Sequence, residues 1–342
     1  MKDFIFYLSR KINYPFLPPE VIQVSLTYRC NLRCKMCSIA GLLPMNEELS
    51  TGQIFHIIDE AKKYNMKEVL LTGGEPFLRN DIFEICRYSH DKGLITIITT
   101  NGALIDNNMA DAIAKSKANH IHFSLDGLEE THNFFRGSGV FEKAINAINI
   151  LNEKRKNNGS FSIGIALTVM DKNVGELYEI FKLADDLNVD AINFQPLINN
   201  NANFMDKSLP PFWVKGENIP ILEEEIKKIR EYKPKHITID EEPRLELLVK
   251  YYDGTLTRKD WICFGGFKTA FICFSKNEPL VYSCHGVCGN LDNMPLKKVW
   301  KSKEAYKLRF HSRNCKNLCM QSCYSYEKAQ SLTNLLRDYI RK

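Results

Sequence analysis

An α/β fold built as a partial (β/α)6 TIM-like barrel is what this 342-residue sequence predicts, and three observations predict it. Short apolar runs alternate with amphipathic helical patterns from residue 20 to about 196, in six βα steps. The apolar runs are near-continuous, as in parallel strands buried on both faces. Six steps are also too few to close an eightfold barrel, so the sheet stays open, with a doubly wound sheet as the alternative. In either architecture the chemically active groups gather just past the C-terminal ends of the strands.

The elements follow in order. The N-terminal stretch, "MKDFIFYLSRKINYPF", reads as a short packing helix. "EVIQVSLT" (20–27) is a strand and "TGQIFHIIDEAKKY" (51–64) a helix; "KEVLLT" (67–72) and "DIFEICRYSHDKG" (81–93) repeat the pair. "LITIITT" (94–100) is followed by helical "NMADAIAKS" (108–116), and extended "HIHFSLD" (120–126) by "VFEKAINAINILNEKRK" (140–156), whose apolar residues recur every 3.6 positions. "SFSIGIALTV" (160–169), "VGELYEIFKLADDLN" (174–188) and "AINFQPL" (191–197) complete the series. An Asn- and Pro-rich stretch (199–218) reads as a long loop, and "IPILEEEIKKIREYK" (219–233) as a helix before a cysteine-rich tail. These boundaries divide the chain into an N-terminal segment (1–18), a barrel core (19–235) and a small C-terminal domain (236–342) with a terminal helix.

A hydrophobic content of 44% and a charged content of 25% are those of an ordinary globular protein. The net charge of +5 is modest, and no Lys/Arg-rich run concentrates it into a nucleic-acid footprint; the basic "LRDYIRK" at the C-terminus reads as a solvated helix face. No apolar run is long enough to span a membrane, and the N-terminal stretch lacks a signal-peptide core, which points to the cytoplasm. In a reducing compartment, clustered cysteines signal metal binding or catalysis rather than disulfides. The 11 cysteines fall into an N-terminal group (Cys30, Cys34, Cys37) and a C-terminal group (Cys263, Cys273, Cys284, Cys288, Cys315, Cys319, Cys323). Cys86 stands apart, on an amphipathic helix, as a core residue.

Cys30 lies three residues past the end of the first strand, where a parallel sheet builds sites. A zinc site would need a fourth ligand, and the loop offers no His, Asp or Glu before Glu47. An iron–sulfur cubane suits three thiolates better, because its fourth iron can take a small chelating molecule.

The Cys30-x3-Cys34-x2-Cys37 spacing resembles the cluster motif of the radical S-adenosylmethionine (SAM) superfamily. That resemblance implies a [4Fe–4S] cluster whose open iron is chelated by SAM, reductive cleavage of SAM to a 5′-deoxyadenosyl radical, and abstraction of a substrate hydrogen atom. It also implies a flavodoxin- or ferredoxin-type electron donor. "LLTGGEPFLR" (70–79) matches the family's second motif, with Gly73, Gly74 and Glu75 at the SAM amino group. "TTNG" (99–102) places Thr100 where relatives face substrate or SAM; Ser124 of "FSLDG" matches a ribose contact, and Arg136 of "THNFFRG" an arginine that pairs with the SAM carboxylate. A guanidinium suits that task by binding carboxylate bidentately. Met36 stands where relatives often carry an aromatic residue, and packs near adenine instead.

The tail resembles the auxiliary-cluster extension called SPASM, or its shorter relative the twitch domain, with the cysteines and a "GNL…W…LR" stretch (289–309) carrying the likeness. Pro279 replaces a usual Gly, the terminal run is Cys-x3-Cys-x3-Cys, and no CxxC pair of a zinc ribbon occurs. One auxiliary [4Fe–4S] cluster is expected, held by Cys263, Cys284 and two or three of Cys315, Cys319 and Cys323, with two clusters as the alternative. Cys288 is a spare ligand or a hydrogen donor to a product radical, and Cys273 falls in a strand-like run.

The expected function is radical modification of a peptide or protein. The alternatives are a twitch-type dehydrogenase of a small molecule (aminocyclitol, sugar or nucleotide) and, more distantly, a non-catalytic iron–sulfur electron carrier, against which the SAM-pocket residues argue. About 19 residues precede the first strand, too few for an N-terminal leader-peptide-binding domain.

Overall fold

The computed structural model describes residues 1–37, 48–158, 161–198, 211–240 and 244–325. The terminal "LRDYIRK" and most of the Asn-rich loop therefore lie outside the described residues.

Helix α1 (Lys2–Ile12) precedes strand β1 (Val21–Thr27). The alternation then runs α2 (Thr51–Lys63), β2 (Glu68–Gly73), α3 (Ile82–Asp91), β3 (Ile95–Thr100), α4 (Asn107–Lys115) and β4 (His120–Ser124). It continues with α5 (Glu129–Arg136), α6 (Val140–Asn158), β5 (Ser162–Val169), α7 (Leu177–Asp186), β6 (Ala191–Pro196), α8 (Ile219–Glu231) and β7 (Thr238–Asp240). Local chemistry sets the limits of these helices. Ser50 and Gln53 close a reciprocal capping box on α2, and Asp106 accepts from Met109 N to start α4. Asn13, Asn65 and Asn188 take the left-handed conformation that ends α1, α2 and α7.

Strands β1 to β7 lie side by side in sequence order, all parallel. The order never reverses, so the sheet is singly wound, and right-handed crossovers place the helices on one face. The tail adds α9 (Leu247–Tyr252), a meander of β8 (Thr269–Ser275), β9 (Glu278–Ser283) and β10 (Gly286–Asn290), then α10 (Leu296–Trp300) and α11 (Lys303–Asn314). β8 pairs parallel to the free side of β1, Val21 opposite Thr269, and β9 and β10 extend the same sheet antiparallel. The result is one ten-stranded sheet with β7 and β10 as its edges, an open barrel.

β7 and β8 extend the barrel sheet at both sides. Arg136 sits at the end of helix α5. One feature departs from expectation: the strands are not buried alike on both faces. Ile22, Val24, Leu26, Val69, Leu71, Ile121 and Phe123 are fully buried beneath the helices. The alternate residues, among them Gln23, Thr72, Thr99, His122, Thr168 and Gln195, line a cavity on the concave face. An open barrel holds a space there instead of a packed core. Cys86 is fully buried on α3, and burial pushes its thiol up to about 12.

Candidate active site

The three-cysteine loop leaves β1 and is clamped from below. Gly74 N donates to Thr27 O at 2.7 Å, and Glu75 N to Arg29 O at 2.9 Å. The close approach explains the glycines. A Cβ at Gly73, whose φ is +129°, would stand 2.2 Å from Thr27 O, and one at Gly74 2.0 Å from Arg29 O. Both glycines border the cavity, yet what requires them is the backbone leading into Cys30. Buried Arg79 completes the clamp: it donates to Leu26 O at 3.1 Å and Leu49 O at 2.9 Å while paired with Asp81 at 2.6 Å. Farther along the loop, Lys35 N donates to Phe135 O at 2.9 Å, tying it to α5.

Cys30, Cys34, Met36 and Cys37 border one cavity of about 260 Å³, together with Gly73, Gly74, Thr100, Asn101, Ser124 and Arg136. Burial pushes the thiols of Cys30 and Cys34 up, and Arg136 draws that of Cys34 back. Among the described residues, no three His, Cys, Asp or Glu side chains converge on a point where one ion would sit. Thiols spread around a shared cavity match a multi-iron cage, whose ligands stand at separate corners.

Glu75 does not reach this cavity. Its carboxylate is buried between strand ends, where it accepts from Thr100 Oγ1 at 2.8 Å, Asn101 N at 2.9 Å and Phe77 N at 3.2 Å. These three donors hold the carboxylate at the turn after β3. Burial pushes its carboxyl above the usual range, against the pull of the donors from Asn101, Thr100 and Phe77. Glu75→Gln places an amide N–H against one of these donors and is expected to cost about 1–3 kcal/mol, read from the urea midpoint. An unchanged midpoint would contradict this arrangement.

Arg136 borders the cavity with its charge already half engaged. Nε donates to Asp126 Oδ2 at 2.6 Å, and Nη1 stands 4.0 Å from Cys34 Sγ. Burial opposes its charge, but Asp126 and the thiols of Cys34 and Cys37 hold the guanidinium above its ordinary value. Asp126 is fully buried and also accepts from Thr168 N at 2.9 Å. Asn101 Nδ2 donates to Asn31 Oδ1 at 2.9 Å, 4.0 Å from Cys30 Sγ. Asp126 and Asn101 lie inside the strand-end motifs but were not singled out as site residues. Their signal is a polar residue where the strand's apolar pattern stops.

A second cavity of about 350 Å³ runs through the barrel. Thr72, Thr99, Ser124, Arg136 and Thr168 border both spaces, and the far end is walled by Lys268, Thr269, Gln321, Ser322 and Cys323. Five tail cysteines sense one another. Cys284 is pushed up to about 12 by burial and then by Cys319 and Cys315, and Cys263 is raised by burial and then chiefly by Cys319. Cys323, also raised by burial first, feels Cys319 and Cys263. Cys273 and Cys288 stand outside the group: the first lies 3.7 Å from Ser25 Oγ, and the second is buried on β10, raised to about 11 by burial.

A three-thiol loop at the mouth of an open parallel barrel, with a guanidinium facing it, defines an iron–sulfur enzyme of the open-barrel class. Residues 24–184 match the family model described as the Radical SAM superfamily. Over that segment the chain carries a radical SAM domain. It is 28% identical over 317 residues to the AdoMet-dependent heme synthase of Methanosarcina barkeri, covering 88% of this chain and 87% of that one. It is 34% identical over 167 residues to the mycofactocin maturase MftC of Mycolicibacterium smegmatis, covering 48% and 42%. Among solved structures, anSMEcpe with bound AdoMet is similar at a TM-score of 0.65 and 16% identity, over 94% of this chain and 95% of that one. Streptococcus suis SuiB bound to its precursor peptide SuiA gives 0.64 and 17%, over 89% and 69%; both likenesses concern the fold. No helix among the described residues is long and apolar enough to cross a membrane.

Proposed function

We propose that this chain is a radical SAM enzyme that acts on a polar, hydrogen-bonding segment of a peptide or protein held inside the barrel. The observation that carries the proposal is the wall that the two cavities share, Thr72, Thr99, Ser124, Arg136 and Thr168, so that a group inside the barrel would lie next to the three-cysteine pocket. Cys30, Cys34 and Cys37 would hold a [4Fe–4S] cluster, and SAM would take its open corner. Bound there, the pair supplies one-electron cleavage of SAM and with it a hydrogen-abstracting radical. Arg136, oriented by Asp126, keeps donors free for the SAM carboxylate. Ser124 offers a hydroxyl and Met36 an apolar, polarisable side chain to the nucleoside. Within the barrel, Gln23, Gln195, Thr72, Thr99 and Thr168 supply amide and hydroxyl groups suited to orienting a peptide. Cys263 and Cys284, with two or three of Cys315, Cys319 and Cys323, would hold an auxiliary cluster of the SPASM or twitch kind. Cys323 also walls the barrel cavity, so that site would lie beside a substrate held there.

A tetrapyrrole substrate is the second reading. It is favoured by one observation: the likeness to the heme synthase spans both chains nearly end to end, whereas that to the peptide maturase covers less than half of each.

Anaerobically reconstituted protein with a reductant should convert SAM to 5′-deoxyadenosine. Joint replacement of Cys30, Cys34 and Cys37 by Ala should abolish this and remove about four iron atoms per chain, leaving the tail's iron in place. Unchanged cleavage in that variant would sink the mechanism. Deuterium passing into 5′-deoxyadenosine from a labelled peptide supports the first substrate class, and from a labelled iron-coproporphyrin the second.

A further inference from the structure

The charge of this chain is unevenly placed. Residues 1–16 and 295–316 carry eleven Lys and Arg against two acidic residues, a net of +9 within a chain of +5, which leaves −4 for the remainder. The two segments lie nearly 300 positions apart, yet they pack together. Asn13 Nδ2 donates to Tyr306 O at 3.2 Å, Arg313 Nη2 donates to Lys11 O at 2.6 Å, and Lys301 Nζ stands 5.4 Å from the centre of the Tyr14 ring. One face of the molecule thus gathers cations that the sequence keeps apart.

The centre of that face is apolar. Ile12 and Tyr14 on one segment, with Tyr306 and Phe310 one turn apart on α11, are 44–53% exposed, and exposed Phe16 meets Tyr14 edge to face at 5.1 Å. A solvated monomer seldom leaves so many bulky side chains adjacent and uncovered. Exposed Lys11, Lys301, Lys303 and Lys307 rim them.

Beside the patch lies a cavity of about 180 Å³ that contains Cys263 and Cys315. Arg10, Lys11, Arg258 and Arg313 line it, and among the described residues no carboxylate does. The cations that edge the patch therefore also frame two of the tail thiols. A lipid surface could use the patch but has no use for the thiols; a protein that carries electrons uses both.

We propose that this face docks an acidic one-electron carrier protein, its apolar contact resting on Ile12, Tyr306 and Phe310 and its acidic rim on the surrounding lysines. The proposal rests on reading the tail as an iron–sulfur site. The carrier would be oxidised by one electron and that site reduced by one. A modest apolar centre inside a charged rim suits a weak, fast-exchanging complex whose approach is steered by charge.

The test is a binding titration of the reconstituted enzyme with a bacterial flavodoxin, at low and high salt. Wild-type affinity should fall as salt rises. The double variant Lys303→Glu/Lys307→Glu should bind about tenfold more weakly, and Phe310→Ser should weaken binding without changing its salt dependence. These side chains are exposed, and iron content with circular dichroism checks that each variant is folded and loaded. Equal binding by both variants, or salt-indifferent binding, overturns the proposal. So does wild-type enzyme that ignores flavodoxin but binds vesicles of phosphatidylglycerol and phosphatidylcholine through the same residues. Should the tail take up no iron, the tail reading fails by the iron count alone, while the binding series still decides whether the face docks a carrier.

Discussion

Replacing Gly74 with alanine is expected to cost about 4 kcal/mol or more, at the upper end of what single substitutions do. The new Cβ would stand 2.0 Å from Arg29 O and 2.7 Å from Arg29 C, and both are backbone atoms. A flexible side chain could swing away; this strand end cannot, because Arg79 holds Leu26 O and Leu49 O on either side. The same shift would break the bonds from Gly74 N to Thr27 O and from Glu75 N to Arg29 O. Since domains of this kind are stable by about 5–15 kcal/mol, much of the margin would go, and the cysteine loop with it. Gly216 is the control, for an added Cβ there meets nothing within 4 Å. Denaturation midpoints and iron content should separate the two variants clearly. Equal stability of Gly74→Ala and Gly216→Ala would show that the clamp does not operate.

The second large effect is expected at Asp126. Asp126→Ala leaves the Arg136 charge, only 12% exposed, without its counter-ion, which for a buried pair costs about 3–5 kcal/mol. It also strips Thr168 N of its acceptor. Combining Asp126→Ala with Arg136→Met removes the stranded charge and should recover part of the stability, the signature of two coupled sites. SAM binding, measured by equilibrium dialysis, should remain lost in both variants. Full stability of Asp126→Ala alone, or restored SAM binding in the double variant, would contradict the role assigned to the pair.

Much of the core was legible because it obeys local rules. Apolar periodicity marked the six βα steps, and the spacing of Cys30, Cys34 and Cys37 marked the loop. What stayed hidden depends on long-range pairing. β7 has only three residues and owes its existence to β6, and β8 reads like any edge strand until β1 is seen beside it. The partners of Glu75 were hidden as well: its carboxylate accepts from two backbone N–H groups and a hydroxyl that a linear motif does not reveal. The basic face escaped for a similar reason, since Lys11 and Arg313 are neighbours only in the folded chain.

The parallel pairing of β1 with β8 also has a consequence in time. Ser25 and Cys273 face each other across 248 positions. At a synthesis rate of about 5–20 residues per second, roughly 10–50 s separate the emergence of the two strands from the ribosome. Throughout that interval β1 has a neighbour on one side only, and the thiol loop that leaves it stands beside an unfilled seam. The arrival of β8 closes that seam. A nascent chain is also most exposed to mispairing along that edge in the same seconds.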